Sequence, residues 1–312
     1  FQMNAIVPYD DDSFIARLYT MCASIYEEFI EVLYTWLTRK GQLERALESS
    51  WSSRAAKMLN IEKALRQRAT GGVRYNRVAP RSSVSTAEMV LEQANVTASG
   101  SDRERMRATV EKAMERMEAH EELCEQVETL RTTSYDPLNT QHSSFLSHLW
   151  DILNPADPIE GMKSKRWGEI GFQGSDPSTD FRGMGVLSLH QLIYFAEKEP
   201  ERVRAVLSMS HHPTIGFPFA IAGINFTALA RKFLQEGILK SHFYNTLDHP
   251  ESIDDFHHAY IRIFLLFSEF YKRENPATIM EFNTIQLKFE STLRRELERN
   301  TANLDMISID DL

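Results

Sequence analysis

The stretch "WGEIGFQGSDPSTDFRGMGVL", residues 167–187, lies immediately before a long apolar run and contains turn-forming and capping residues in close succession. Asp176 followed by Pro177 predicts a turn. Thr179 or Asp180 can then cap a new helix, because a short oxygen-bearing side chain satisfies the free amide groups of a first helical turn. The sequence therefore predicts a turn that opens a helix near residue 180.

Arg182 and two glycines break the ordinary preferences of such a helix start. The charge of Arg182 opposes the helix dipole, at about 0.3 to 1 kcal/mol, and Gly183 and Gly185 each cost about 0.8 to 1 kcal/mol relative to alanine in a helix interior. In one interpretation Arg182 pairs with Asp176 or Asp180 and braces the turn. In the other, an arginine beside a helix N-terminus forms an anion site suited to phosphate. Several departures from helix preferences within a few residues often mark a functional site. The residues alone leave both interpretations open.

Apolar-rich stretches of helical length occupy the chain after the turn. Each is bounded by Pro, Gly, Ser or Asp, and no alternating run with hairpin turns interrupts them. The stretches are residues 183–198, 201–209, 217–236, 252–273 and 278–299. The sequence therefore predicts an all-α fold, and no internal repeat suggests a solenoid.

Helices are also predicted before the turn. A long charged helix begins near Ser101 or Asp102 and ends at "SYDPLN", residues 134–139, and another stops before Pro155. Over residues 14–37 an apolar stripe fits one face of an amphipathic helix, for which core packing is the default and a membrane-surface or partner-binding role is the alternative. The stripe consists of Phe14, Leu18, Cys22, Ile25, Phe29, Leu33 and Trp36.

Composition and charge restrict the class of protein. The chain is 42% hydrophobic and 25% charged, as in soluble globular proteins, and its net charge of -9 argues against a nucleic-acid binder. Residues 39–81 carry 11 Lys or Arg against 3 Glu, which favours a solvated helix surface over a patch for anionic membranes or a partner. Cys22 and Cys124 lack disulfide or zinc spacing, so a reducing, cytoplasmic setting is predicted.

Histidine-containing fragments do not have the spacing of a metal site. "HEELC" at His120 lacks the second histidine of a zinc-binding HExxH helix and is interpreted as a solvated helix face. The adjacent pairs His211-His212 and His257-His258 place their rings on different helix faces. "GMGVLS" has no third glycine, and no P-loop is present, so neither a metal nor a nucleotide cofactor is predicted for this chain.

The residues of the turn make the chain resemble the ELMO domain, and specifically the ELMO-domain-containing proteins that act as GTPase-activating proteins for Arf-like GTPases. The likeness covers roughly residues 140–298, including "HPTIGFPFAIAGINFT" at 212–227 and "PATIMEFNTIQLKFE" at 276–290. The matching signature residues are Trp167, Gly171-Phe172-Gln173, Pro177, Thr179-Asp180-Phe181-Arg182-Gly183, Gly185, Leu189, Leu192, Tyr194 and Phe195.

This resemblance, together with the composition, predicts four parts of the chain. Residues 1–68 form an N-terminal helical region and residues 69–100 a linker, with one short helical turn near Met89. Residues 101–302 form the ELMO domain, whose signature spans 167–195, and residues 303–312 form an acidic tail.

The resemblance implies a function for Arg182. The domain would bind an Arf or Arl family GTPase in its GTP-bound form and accelerate GTP hydrolysis, with Arg182 as an arginine finger. The GTPase would supply the nucleotide, magnesium and the water-orienting residue, so the chain would need no cofactor of its own. The alternative is a scaffold or effector that docks a GTPase without catalysis, and peripheral contact with anionic endomembranes is compatible with either.

Other signature residues would support Arg182 or contact the GTPase. The residues assigned to shaping the turn or touching the GTPase are Gln173, Asp176, Thr179 and Asp180. The residues expected to anchor the turn in the core are Trp167, Phe172 and Phe181.

Overall fold

The computed structural model describes residues 21, 26, 29–30, 32–35, 37–70, 86–159 and 161–312. These residues are mostly helical, and none of them lies in a β-strand, so the predicted all-α fold is confirmed. No helix in this described part of the chain is long and apolar enough to cross a membrane.

The chain divides into two compact units, and each unit consists of two separate segments of the sequence. The first contains Phe1–Ser50 and Asn60–Glu111, and the second contains Trp51–Leu59 and Lys112–Leu312. The four-part division suggested by the sequence remains a prediction, and residues 71–85 of the expected linker lie outside the described residues.

The first unit contains α1 (Gln42–Glu48), α3 (Thr86–Gln93) and parts of α2 (Arg54–Thr70) and α4 (Gly100–Thr132). Helix α3 lies where a short turn near Met89 was expected. The carboxylate of Glu44 is buried and accepts hydrogen bonds from the amide and the hydroxyl of Thr97, at 3.2 and 2.8 Å. A buried carboxylate requires such donors, because desolvation otherwise disfavours its charge.

The apolar stripe predicted over residues 14–37 is described at only two of its positions. Both are helical, and both are exposed: Phe29 at 62% and Leu33 at 39%. The expectation of core packing is therefore wrong for these two residues. The other members of the stripe lie outside the described residues.

The second unit contains the remaining helices, joined by short connections. Its α-helices are α5 (Thr140–Leu153), α6 (Gly185–Lys198), α7 (Pro200–Ser210), α8 (Phe219–Gln235), α9 (Lys240–Thr246), α10 (Ile253–Glu274) and α11 (Phe282–Leu297). Its 3-10 helices are Lys165–Ile170, Pro177–Arg182, Ile279–Glu281 and Ile309–Asp311. The five apolar-rich stretches predicted after the turn each correspond to an α-helix, within a few residues at either end.

Helix α10 lies at the centre of the second unit because most of its residues between Phe256 and Tyr271 are buried. Ser252 caps it in a reciprocal capping box with Asp255. Phe264, fully buried, stacks on Phe226 of α8 at a centroid distance of 5.0 Å and contacts Phe195 of α6 at 5.6 Å. Burial of each such ring contributes about 1.5 to 3 kcal/mol, so the packing of α6, α8 and α10 provides the rigid base for the turn that precedes α6.

Glu128 connects the end of α4 to α8. Its carboxylate accepts hydrogen bonds from Arg131, one turn away, and from Arg231 at 2.6 Å and Gln235 at 3.1 Å. The hydrogen bond from Arg131 and then the Arg231 guanidinium lower the pKa of Glu128 to about 2. The C-terminal end of α4 is thereby held in place, and this end contacts the signature turn.

Candidate functional site

The signature begins with the 3-10 helix Lys165–Ile170, which ends at a glycine that no other residue could replace without strain. Gly171 has φ of +86°, in the left-handed region. A Cβ atom there would lie 2.2 Å from the amide nitrogen of Phe219, at the start of α8. The carbonyl of Gly171 accepts a hydrogen bond from the amide of Ile221, at 3.2 Å. Gly171 therefore allows the turn to approach the backbone of α8 directly.

A series of aromatic rings forms the buried support of the turn. Trp167 contacts Trp150 and Phe172 edge to face, at 5.3 and 5.8 Å, and Phe172 contacts Phe181 at 5.5 Å. Tyr135, from the connection after α4, contacts Phe181 at 5.2 Å. Trp167, Phe172 and Phe181 are all buried, which confirms that they anchor the turn in the core.

The second 3-10 helix, Pro177–Arg182, is capped at a different residue from the two that the sequence suggested. The carboxylate of Asp176 accepts from the amide and the hydroxyl of Ser178, at 3.1 and 2.5 Å, and forms an ion pair with Lys163 at 3.1 Å. The hydrogen bond from the Ser178 hydroxyl is the main cause of a lowered pKa of Asp176. Asp176, rather than Thr179 or Asp180, is thus the cap.

Thr179, Asp180 and Gln173 make contacts that close the turn. The hydroxyl of Thr179 donates to the carbonyl of Asp176, at 3.0 Å, and the amide of Gln173 donates to the carboxylate of Asp180, at 2.8 Å. Burial raises the pKa of Asp180, despite this hydrogen bond. The side chain of Gln173 is exposed. The bond between Gln173 and Asp180 fixes the two ends of the loop relative to each other.

Arg182 is the last residue of this 3-10 helix and not a first-turn residue of α6. A cation at the C-terminal end of a helix has the favourable sign relative to the helix dipole, so the dipole penalty expected from the sequence does not arise. Arg182 is exposed, and it has no hydrogen-bond or ion-pair partner among the described residues. The interpretation in which Arg182 pairs with Asp176 or Asp180 is not supported as a close ion pair, because these carboxylates bind Ser178, Lys163 and Gln173. The charge of Arg182 still acts on Asp180, where it partly offsets the burial that raises the pKa of this carboxyl group.

The two glycines after Arg182 have different environments. Gly183 has φ of -81° and no neighbour within 4 Å of an added Cβ. Gly185 has φ of +53°, and a Cβ there would lie 2.3 Å from the carbonyl oxygen of Arg131 and 2.5 Å from that of Thr133. The next amide, that of Val186, donates to the Thr133 carbonyl at 2.9 Å. Gly185 therefore joins the start of α6 to the end of α4 by close backbone approach.

The structure brings to this site residues that the sequence analysis did not single out. Tyr135 packs on Phe181, Thr133 accepts from the start of α6, and Lys163 pairs with the capping carboxylate. Tyr135 and Thr133 lie where the long charged helix was predicted to end, and the sequence analysis assigned no further role to this part of the chain. Their pairing with the turn is long-range, and no local pattern in the sequence indicates it.

The histidines that the sequence analysis discussed differ in their environments. Among the described residues, no group of three His, Cys, Asp or Glu side chains could hold a metal ion. His120 is buried and faces Glu251 at 3.2 Å, so its interpretation as part of a solvated helix face is wrong. His211, His212 and His258 are exposed.

Comparison with known sequences agrees with this geometry. The sequence model of the ELMO/CED-12 family matches residues 125–286, a segment that contains the end of α4, the complete turn and the helices behind it. The chain belongs to the ELMO/CED-12 family. The signature turn and the helices within residues 125–286 are therefore those of an ELMO domain.

Relatives of this ELMO-domain chain extend the similarity to most of its length. ELMO domain-containing protein 1 of Pongo abelii is 32% identical over 307 residues, covering 91% of this chain and 93% of that protein. ELMO domain-containing protein 1 of Bos taurus is 42% identical over 189 residues, covering 55% of this chain and 58% of that protein. ELMO domain-containing protein B of Dictyostelium discoideum is 38% identical over 181 residues, covering 58% of this chain and 62% of that protein. In the higher-identity alignments, the chain thus spans less than two thirds of the relative.

Proposed function

We propose that this protein accelerates GTP hydrolysis by an Arf or Arl family GTPase and that Arg182 is the arginine finger. The observation that carries the proposal is an exposed guanidinium with no hydrogen-bond or ion-pair partner among the described residues, on a turn that is held by contacts on both sides of Arg182. Phe181, the residue before it, is buried among aromatic rings, and Gly185, shortly after it, is fixed against the end of α4.

The chemistry of the proposed finger is electrostatic. The planar, permanently charged guanidinium of Arg182 would lie beside the γ-phosphate as negative charge moves during bond breaking. A finger of this kind increases the rate by about 10³- to 10⁵-fold, or roughly 4 to 7 kcal/mol. The GTPase would hold the nucleotide and its magnesium ion and orient the attacking water. This chain would contribute Arg182 and the turn that positions it.

The supporting residues divide into those that hold the turn and those that face outward. Asp176, Thr179 and Asp180 form hydrogen bonds within the turn, so we assign them to positioning Arg182. Gln173 binds the turn through its backbone amide and presents an exposed side chain. We assign this side chain to contact with the GTPase.

The experiment is single-turnover hydrolysis by a panel of GTP-loaded Arf and Arl proteins, with the full chain and with Arg182→Lys. Lysine keeps the positive charge but not the planar, forked arrangement of donors, so we expect it to lose most of the acceleration. Arg204→Lys is the matched control, since Arg204 is an exposed arginine of α7 that pairs with Glu201 at 2.8 Å. If Arg182→Lys stimulates hydrolysis as well as the unmodified chain, the proposed finger is wrong.

The second candidate function is a scaffold that docks a GTP-bound GTPase without accelerating hydrolysis. Arg182 would then contribute only to the affinity for the GTPase. Binding measured by fluorescence polarisation, beside the hydrolysis assay, separates the two functions. GTP-dependent binding by the full chain without acceleration for any GTPase of the panel would favour the scaffold.

We also propose peripheral contact of the first unit with anionic membranes. The observation that supports membrane contact is a set of exposed apolar side chains in one short segment, namely Phe29 at 62%, Val32 at 69% and Leu37 at 61%. This segment lies next to the basic stretch that begins at residue 39. Apolar residues beside excess positive charge are typical of helices that lie in a membrane interface. A cytoplasmic location with endomembrane contact follows as a prediction.

Co-sedimentation with vesicles tests this membrane contact. The full chain should bind vesicles of phosphatidylcholine with phosphatidylserine better than phosphatidylcholine alone, and Phe29→Asp with Leu37→Asp should reduce that binding. Leu287→Asp is the control, because Leu287 is equally exposed, at 67%, on α11 in the second unit. Equal binding by all variants, or no binding to either vesicle, would contradict the proposal.

A further inference from the structure

A cleft of about 500 Å³ opens between helices α5, α6 and α10 of the second unit. The GTPase proposal does not use any of its residues. The cleft combines aromatic, imidazole and carboxylate side chains in one concave surface. The side chains on which the argument depends are Phe145, His190, Tyr194, Glu197, Asp254 and His257.

His257 is the buried polar group of this cleft. Its side chain is almost entirely buried, at 6% exposure, and packs on the ring of Tyr194 at a centroid distance of 5.1 Å. Neither of its ring nitrogens has a hydrogen-bond partner among the described residues, and Nδ1 is fully enclosed. Burial lowers the pKa of His257 to about 4, so its imidazole is neutral at physiological pH and retains one nitrogen that can accept a hydrogen bond.

His190 gives the same part of the cleft a second neutral imidazole. Its ring meets that of Phe145 edge to face at 5.3 Å, and burial is the main reason that its pKa is lowered. No hydrogen bond involves the ring of His190 within the described part of the chain. These rings therefore form an aromatic, uncharged part of the cleft, with imidazole groups available for hydrogen bonding.

Carboxylates give the cleft a negative charge. Glu197 accepts from His148 at 2.8 Å through Oε1. Asp254 is exposed, and it has no ion-pair partner among the described residues. The ammonium group of Lys198 lies 5.5 Å from the ring centroid of Tyr194, so a cation that stacks on this ring must displace the Lys198 side chain. The two carboxylates outnumber the ammonium group of Lys198, so the cleft has a net negative charge that opposes the entry of an anion and favours a cation.

We propose that this cleft binds a guanidinium group, the side chain of an arginine. A guanidinium is planar and stacks on aromatic rings, so it matches the Phe145 and Tyr194 side of the cleft. Its five donors match carboxylate oxygens and neutral imidazole nitrogens, which are the acceptors that the cleft provides. The ligand is either a free arginine-like molecule or an arginine of a peptide, since both present the same group.

The test is a titration of the full chain followed by the imidazole signals of its ¹⁵N-labelled histidines. The probes are N-acetyl-arginine amide, free L-arginine and N-acetyl-citrulline amide, whose side chain has nearly the same shape without the charge. We expect the blocked arginine to shift the His190 and His257 signals at concentrations up to about 10 mM and the citrulline compound to leave them unchanged. Tighter binding of the blocked form than of free arginine would indicate a peptide ligand, and the reverse order a free one.

Two substitutions connect the binding to the cleft. Glu197→Gln with Asp254→Asn should weaken binding about 10-fold or more, because each removes a charged acceptor from the surface without altering the core. Glu201→Gln, on α7 outside the cleft, is the control. No shift with either arginine probe, equal shifts with citrulline, or unchanged binding in the double variant would overturn the proposal. Arg182→Ala should bind the probe normally, so the result is independent of the GTPase proposal.

Discussion

Replacing Gly185 with alanine should destabilise the second unit far more than the same change two residues earlier. An alanine at φ of +53° costs about 1 to 2 kcal/mol in backbone strain. Its Cβ would lie 2.3 Å from the Arg131 carbonyl oxygen, and separating these atoms adds about 1 to 3 kcal/mol and weakens the 2.9 Å hydrogen bond from Val186 to Thr133. The lower entropy of the unfolded alanine chain offsets about 0.4 to 1 kcal/mol of this cost, so the expected loss is roughly 1 to 4.5 kcal/mol.

The matched control is Gly183→Ala. Gly183 has an ordinary right-handed backbone conformation, and an added Cβ meets nothing within 4 Å. This variant should be unchanged or stabilised by about 0.4 to 1 kcal/mol, because alanine restricts only the unfolded chain. Urea denaturation of both variants, monitored by circular dichroism and by tryptophan fluorescence, gives the two free-energy changes. Equal changes in the two variants would refute the argument that Gly185 is required by its backbone conformation and by the end of α4.

Three titratable groups give further predictions, each measured by urea denaturation across pH. Burial raises the pKa of Asp180, so the folded chain binds a proton at this carboxyl group more readily than the unfolded chain does. The free energy of unfolding should therefore rise as the pH falls through the folded pKa, and Asp180→Asn should remove this pH dependence. The hydrogen bond with Asp305 raises the pKa of His258 above 6.5, so His258→Gln should cost up to about 1 kcal/mol below that pH, with the difference disappearing as the pH rises through the folded pKa. Glu128→Gln should lower the free energy of unfolding by about 1 kcal/mol at neutral pH, a small value because this carboxylate is one-third exposed and therefore screened by solvent. The difference between this variant and the unmodified chain should disappear as the pH falls towards the folded pKa of about 2.

The helices of the second unit were predictable because burial there follows a local period. The stretch 252–273 contains a capping serine, acids in the first turn and apolar residues at helical spacing, and it folds as α10 within a residue of the predicted ends. The aromatic anchors Trp167, Phe172 and Phe181 were predictable for a related reason, since large rings beside a polar turn need a core to cover them.

The environment of Arg182 was not predictable from local rules. Near residue 180 three side chains could serve as a cap, and the choice of Asp176 depends on Ser178 and on Lys163, which lies outside the turn. The carboxylate of Asp180 accepts from the Gln173 amide and forms no ion pair with Arg182, although the charge of Arg182 acts on it. Competition between acceptors of this kind is decided by tertiary geometry, which periodicity and capping preferences do not encode.

Burial was mispredicted where only helical periodicity supported it. Phe29 and Leu33 lie on one face of a helical segment and are exposed, whereas His120, interpreted as a surface residue, is buried opposite Glu251. Periodicity shows which residues share a face of a helix, but not what that face packs against. A polar residue can be buried when a distant partner compensates its charge or hydrogen bonds.

The unpaired state of Arg182 is less important for the proposed catalysis than the rigidity of its backbone. An exposed ion pair contributes only about 0 to 1 kcal/mol, so a pairing with Asp180 in the free protein would reduce a finger worth roughly 4 to 7 kcal/mol by a small fraction. A displacement of about 1 Å, in contrast, can reduce the rate about 100-fold. The close contacts of Gly171 and Gly185 and the ring packing of Phe181 oppose such a displacement of the turn. If Arg182 is the finger, substitutions that loosen these contacts should lower the rate of hydrolysis at saturating GTPase more than they lower the affinity between the two proteins.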